Sequence, residues 1–109
     1  MGYAASDQIH RRNTAGTLTM NGTSANTTFG RHGVMAVTGS FAATVTLQYK
    51  TEGSDGVAGQ WIDAGMVTGP GSYNFRHAKP VPWRFKVSDY VLGTVTVYVE
   101  MADDIQVVT

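Results

Sequence analysis

The chain contains no cysteine, which excludes a disulfide framework and any thiolate metal site. It is also short of charge. Asp, Glu, Lys and Arg make up 15% of it, against about 25% in ordinary soluble domains. Eight basic residues balance eight acidic ones, for a formal net charge of zero. With no basic excess there is no electrostatic footprint for nucleic acid. A surface this poor in charge favours association, so it is either covered by other chains or coated with Thr, Ser and Asn. No apolar run approaches the about 18 residues of a membrane helix, and no membrane partner is expected. The opening residues Met1 to Asp7 lack the basic stretch and apolar core of a secretory signal. The expectation is a protein made and folded in cytoplasm.

A helical period of useful length is missing as well. What stands in its place is period-two alternation, the signature of half-buried antiparallel strands. After a turn at Gly39-Ser40, Val45, Leu47 and Tyr49 alternate with Thr44, Thr46, Gln48 and Lys50. Near the end, Val95, Val97, Val99 and Met101 alternate with Thr94, Thr96, Tyr98 and Glu100. Two such strands, far apart in sequence, predict the centres of two packed sheets.

Shorter strands are expected at residues 15–20, 34–38, 60–64, 72–77 and 83–87. Asn21-Gly22 and Gly30-Arg31-His32-Gly33 read as turns. Residues 51–59 read as a hairpin loop, Lys79-Pro80-Val81-Pro82 as a rigid connector kept out of central ladders, and residues 88–92 as a loop. The total is seven or eight strands at regular spacing in 109 residues, one domain. The fold class this predicts is all-β, an antiparallel, jelly-roll-like β-sandwich. Expected core residues are Leu18, Val37, Phe41, Val45, Leu47, Tyr49, Trp61, Tyr73, Phe75, Trp83, Phe85, Val87, Val95, Val97 and Val99. The sandwich spans residues 15–101. Residues 1–14 form an N-terminal arm and residues 102–109 a C-terminal tail. The arm is polar, with no period. It is either a frayed terminus or an extended segment ordered by a partner, with Ile9 as anchor and Arg11 and Arg12 as contacts to carboxylates or carbonyls.

No reactive constellation is visible. His10, His32 and His77 sit in separate segments without metal-ligand spacing. Asp63 lies on a strand, yet nothing places it beside Glu52 or Glu100 as a glycosidase pair. Ser54-Asp55-Gly56 and Asp103-Asp104 read as turns before calcium loops. No nucleophile elbow, P-loop or dinucleotide fingerprint occurs, and Gly69-Pro70-Gly71 is not followed by a helix that would cradle phosphate. The expectation is a non-enzyme with no catalytic residue, no metal and no cofactor. Among the aromatics, Tyr90, in a loop, and Tyr98, on the Thr face of the last strand, are the candidates for exposure, where they would stack on sugar or bury in a protein interface.

Residues 39–101 carry a recurring set of motifs. These are Gly39-Ser40-Phe41, then Ala43-Thr44-Val45-Thr46-Leu47-Gln48-Tyr49, a Gly/Asp loop ending in Trp61, and Gly69-Pro70-Gly71-Ser72-Tyr73-Asn74-Phe75. Pro82-Trp83-Arg84-Phe85-Lys86-Val87 and Gly93-Thr94-Val95-Thr96-Val97 complete the set. In this the chain resembles small virion structural proteins of tailed bacteriophages, of the capsid decoration (cement) type. The resemblance implies a symmetric oligomer, a homotrimer, on the capsid surface, partnered by the major capsid protein and by itself. The arm and the tail lie outside these motifs; for them the expectation is that Ile9, Arg11 and Arg12 contact the capsid and that the tail around residues 105–108, Ile105 and Val107 included, adds a strand to a neighbouring chain. The alternative is a tail or fibre component with a receptor- or carbohydrate-binding sandwich, presenting Tyr90 or Tyr98.

Overall fold

The structure, a computed structural model, describes residues 13–102. Its regular structure there is entirely strand: β1 (Asn13–Leu18), β2 (Gly22–Thr23), β3 (Thr28–Thr38), β4 (Phe41–Lys50), β5 (Trp61–Val67), β6 (Gly71–Gly93) and β7 (Val95–Met101). All named pairings are antiparallel, in the order β1-β7-β3-β6-β4-β5, with β2 set against β6. The fold is the all-β antiparallel sandwich that the alternation predicts.

One strand builds both layers. β6 runs for 23 residues. Its first part pairs with β3, from Gly71 opposite Val37 to Trp83 opposite Thr28. Its second part pairs with β4, from Trp83 opposite Tyr49 to Gly93 opposite Phe41. Trp83 is the residue at which the two ladders meet. The inward stripes then close on one cluster: Met35 and Val37 of β3, Val95, Val97 and Val99 of β7, Val45 and Leu47 of β4, and Phe75, Val81, Trp83, Phe85 and Val87 of β6. Burying such stripes is the main favourable term for a sheet protein of this size.

Three segments expected to break the strands are strand instead. Gly30-Arg31-His32-Gly33 lies inside β3, Lys79-Pro80-Val81-Pro82 inside β6, and residues 88–92 also inside β6. Each carries a register shift. Gly30 pairs with Val81 and His32 with Arg76, so residues 77–80 of β6 stand opposite Arg31 alone. Ala42 pairs with Leu92 and Thr44 with Ser88, so residues 89–91 stand opposite Ala43. Turn-forming residues here make β-bulges, which bend a strand without ending it. That bending lets β6 pass from one layer to the other. Pro80 is tolerated because the ladder is interrupted around it, and Asp89 takes a positive φ of 50° in the second bulge. β1 also begins at Asn13, two residues before the strand expected from Ala15.

Hydrogen bonds outside the core also tie the layers together. The crossings from β3 to β4 and from β6 to β7 stack on each other, with Thr94 N–H donating to the Ser40 carbonyl at 3.0 Å. Gly39 (φ 113°) and Gly93 (φ 96°) supply the left-handed backbone this requires. Between β6 and β5 the Tyr73 hydroxyl donates to the Ala64 carbonyl at 3.0 Å. Gly65 leaves room for the ring there, since a Cβ at that position would collide with Tyr73.

The core differs from expectation in composition. Trp61 is only partly buried and lies on the outer face, while Met35, Ala43, Val81 and Met101 join the interior. A bulge between β4 and β5 gives the reason. Leu47 pairs with Gly65 but Gln48 with Asp63, so Trp61 and Asp63 fall on the outer side with Lys50 and Gln48.

Candidate protein-interaction face

The outer face of the β1-β7-β3 layer can be read as rows across the strands. Tyr98 of β7 sits opposite Ala15 of β1 on one side and Ala36 of β3 on the other, and Ala36 is followed by Ser72 of β6. The next row is Asn13, Glu100, Val34 and Asn74; on the other side lie Thr17, Thr96 and Thr38. With alanine on both sides no tall neighbour shields the phenol, and Tyr98 is 48% exposed. The threonines bond to each other, with 3.0 Å between the hydroxyls of Thr17 and Thr96. Glu100 is the one ionisable carboxylate in these rows. The result is a weakly charged face with an exposed aromatic, suited to burial against another surface.

Tyr90 is placed differently from expectation. It sits in the 89–91 bulge, half-buried against the core, its amide held by Asn21 Oδ1 at 2.9 Å and its hydroxyl donating to the Gly93 carbonyl. The exposed apolar side chains at this end are its neighbours Val91 and Leu92, with Met20 beside Asn21. A bulge turns Tyr90 inward and its neighbours outward, which alternation alone does not reveal. Ile9, Arg11, Arg12, Ile105 and Val107 lie outside the described residues.

The outer face of the other layer carries a polar chain that the sequence did not single out. Arg84 Nε donates to Gln48 Oε1 at 2.7 Å, and Gln48 Nε2 donates to Asp63 Oδ1 at 2.8 Å. The Arg84 guanidinium stacks 4.2 Å above the centroid of Trp61, with Lys50 Nζ at 5.9 Å. Arg84, Gln48 and Asp63 come from three adjacent strands, β6, β4 and β5, so only the register brings them together. Asp63 is thus committed to Gln48, Glu52 pairs with Lys79 at 3.1 Å, and Glu100 lies on the other layer.

His77 packs against Tyr49, with 4.7 Å between centroids, and edge-on to Trp83 at 6.3 Å. His32 lies opposite Arg76, and His10 is outside the described residues. Among the described residues no three of His, Asp and Glu gather closely enough to hold a metal ion.

The chain was compared with protein-family models, with curated proteins and with solved structures, and none of the three comparisons gave a match.

Proposed function

We propose that this protein is a structural component of a tailed-bacteriophage virion, a decoration or cement protein on the capsid surface. In this role it clamps neighbouring subunits of the major capsid protein as a symmetric oligomer, a homotrimer. The motifs of residues 39–101 suggest the family. The observation that carries the reading is the Tyr98 face, an aromatic 48% exposed between two alanines on a weakly charged sheet. Exposed tyrosine set in uncharged surroundings has the composition of interface cores. Cyclic symmetry repeats one such patch around an axis, so a small domain can grip several subunits at once. The outer face of the opposite layer carries instead a polar chain whose members bond to one another.

The test is binding to undecorated capsids of its own phage, read by co-sedimentation and copy number. Wild-type protein should load in hundreds of copies per particle and sediment alone as a trimer. Tyr98→Asp should melt normally yet fail to load. Equal loading by Tyr98→Asp would refute the assignment of this face. A few copies per particle, together with glycan binding that depends on Tyr98, would replace the reading by that of a tail or fibre receptor-binding module.

A further inference from the structure

The Tyr98 face continues, two rows along β3 and β6, to the bulge where His32 stands opposite Arg76. Two clefts open there and share His32 and Arg76. The smaller, about 390 Å³, is lined by Arg31, His32, Arg76, His77 and Ala78, with no carboxylate among them. The larger, about 490 Å³, includes Val34, Phe75 and Met101 in its lining, with Glu100 also on its wall. Lys79 is paired with Glu52, and Arg84 is held by Gln48 and Trp61. Arg31 and Arg76 are exposed, and neither has a hydrogen-bond or ion-pair partner among the described residues. Two exposed guanidiniums, without partners among the described residues, line one cleft in a chain with so little charge, and both would attract an anion placed between them. A guanidinium matches a carboxylate in bidentate fashion.

We propose that the paired clefts bind an acidic–apolar peptide segment of the neighbouring protein. Its carboxylates sit between Arg31 and Arg76, and its adjoining apolar side chain lies in the Val34–Phe75–Met101 slot. This rests on the assembly reading above, because continuity with the Tyr98 face is what brings a partner chain to the clefts. Glu100 fixes the direction: it repels acid from the larger cleft and leaves the arginine end to the carboxylates. A polynucleotide is disfavoured, since two arginines on a neutral chain do not form a track for a phosphate backbone.

The experiment is a titration of the full chain with the peptide acetyl-Gly-Asp-Glu-Leu-Gly-amide, followed by backbone amide chemical shifts. Matching titrations use its Asn/Gln analogue, its Leu→Ser analogue and inorganic phosphate. The expected result is saturable shifts at residues 31–33 and 76–78. Affinity should fall at least about tenfold for the Asn/Gln analogue and for the Arg31→Ala/Arg76→Ala double variant, whose melting should match wild type. The Leu→Ser analogue should also bind more weakly. Phosphate acting as well as the peptide would reduce the clefts to a simple anion site and overturn the proposal. So would the absence of shifts at these amides. Binding that appears only in a chain ended at Ala102 would assign the clefts to the chain's own Asp103-Asp104 segment and overturn it too. If the peptide fails while Tyr98-dependent capsid loading persists, this inference alone falls. If loading fails while the peptide binds, the assembly reading falls.

Discussion

Replacing Trp83 by Phe tests whether one residue couples the two layers. Trp83 is 1% exposed, its Nε1–H donates to the Gly30 carbonyl at 2.8 Å, and its ring lies 4.3 Å from Phe75 and 5.6 Å from Tyr49. Phenylalanine keeps an aromatic ring there but removes the donor. The Gly30 carbonyl, at the β3 bulge, is then left without that partner, which costs about 1–3 kcal/mol. The smaller ring leaves a void of roughly 40 Å³, worth about 1 kcal/mol at the usual cavity dependence. The sum, about 2–4 kcal/mol, should lower the melting temperature of a domain of this size by at least about 10 °C. The measurement is urea and thermal unfolding followed by far-UV circular dichroism, with Trp61→Phe as the control. Trp61 is partly exposed beneath Arg84, so its substitution forfeits little more than a cation–π contact, at most about 1 kcal/mol. A Trp83→Phe loss below about 0.5 kcal/mol, or equal losses for the two tryptophans, would refute the role assigned to Trp83 at the meeting of the ladders.

Other substitutions probe the remaining ties by the same unfolding measurements. Tyr73→Phe should cost about 0.5–1.5 kcal/mol through the bond to the Ala64 carbonyl. Gly65→Ala should cost more, because the new methyl group displaces the Tyr73 ring. Thr28→Val should be neutral to stabilising by about 1 kcal/mol, since Thr28 Oγ1 is buried without a hydrogen-bond partner among the described residues. Gln48→Ala should destabilise by about 1–3 kcal/mol, because Gln48 is 5% exposed and links Arg84 to Asp63.

Alternation in the sequence was enough to determine the fold class and most of the interior. A strand's side chains switch faces at every residue, so the valines of β7 and the Val45–Leu47 stripe of β4 declare their inward face without any partner in view. The same rule put Tyr98 on the outward face, where it stands exposed. The rest was decided by pairing. Glycine, proline, serine and aspartate mark places where the backbone departs from the ideal strand, but the same residues serve a chain reversal or a bulge. Only neighbouring strands choose between the two, and here they carried β6 unbroken through both expected interruptions.

Faces on either side of a bulge were hidden for the same reason. Trp61 and Trp83 both lie on alternating segments, and the register against β4 sent one outward and the other into the core. Asp63, on the face of Trp61, was the one local sign of the difference. The Arg31–Arg76 clefts and the Arg84–Gln48–Asp63 chain are cross-strand objects with no local signature at all. A sequence fixes which side chains can share a face of one strand. Which strands lie side by side, and in what register, depends on contacts between distant segments, and those arise only when the layers close.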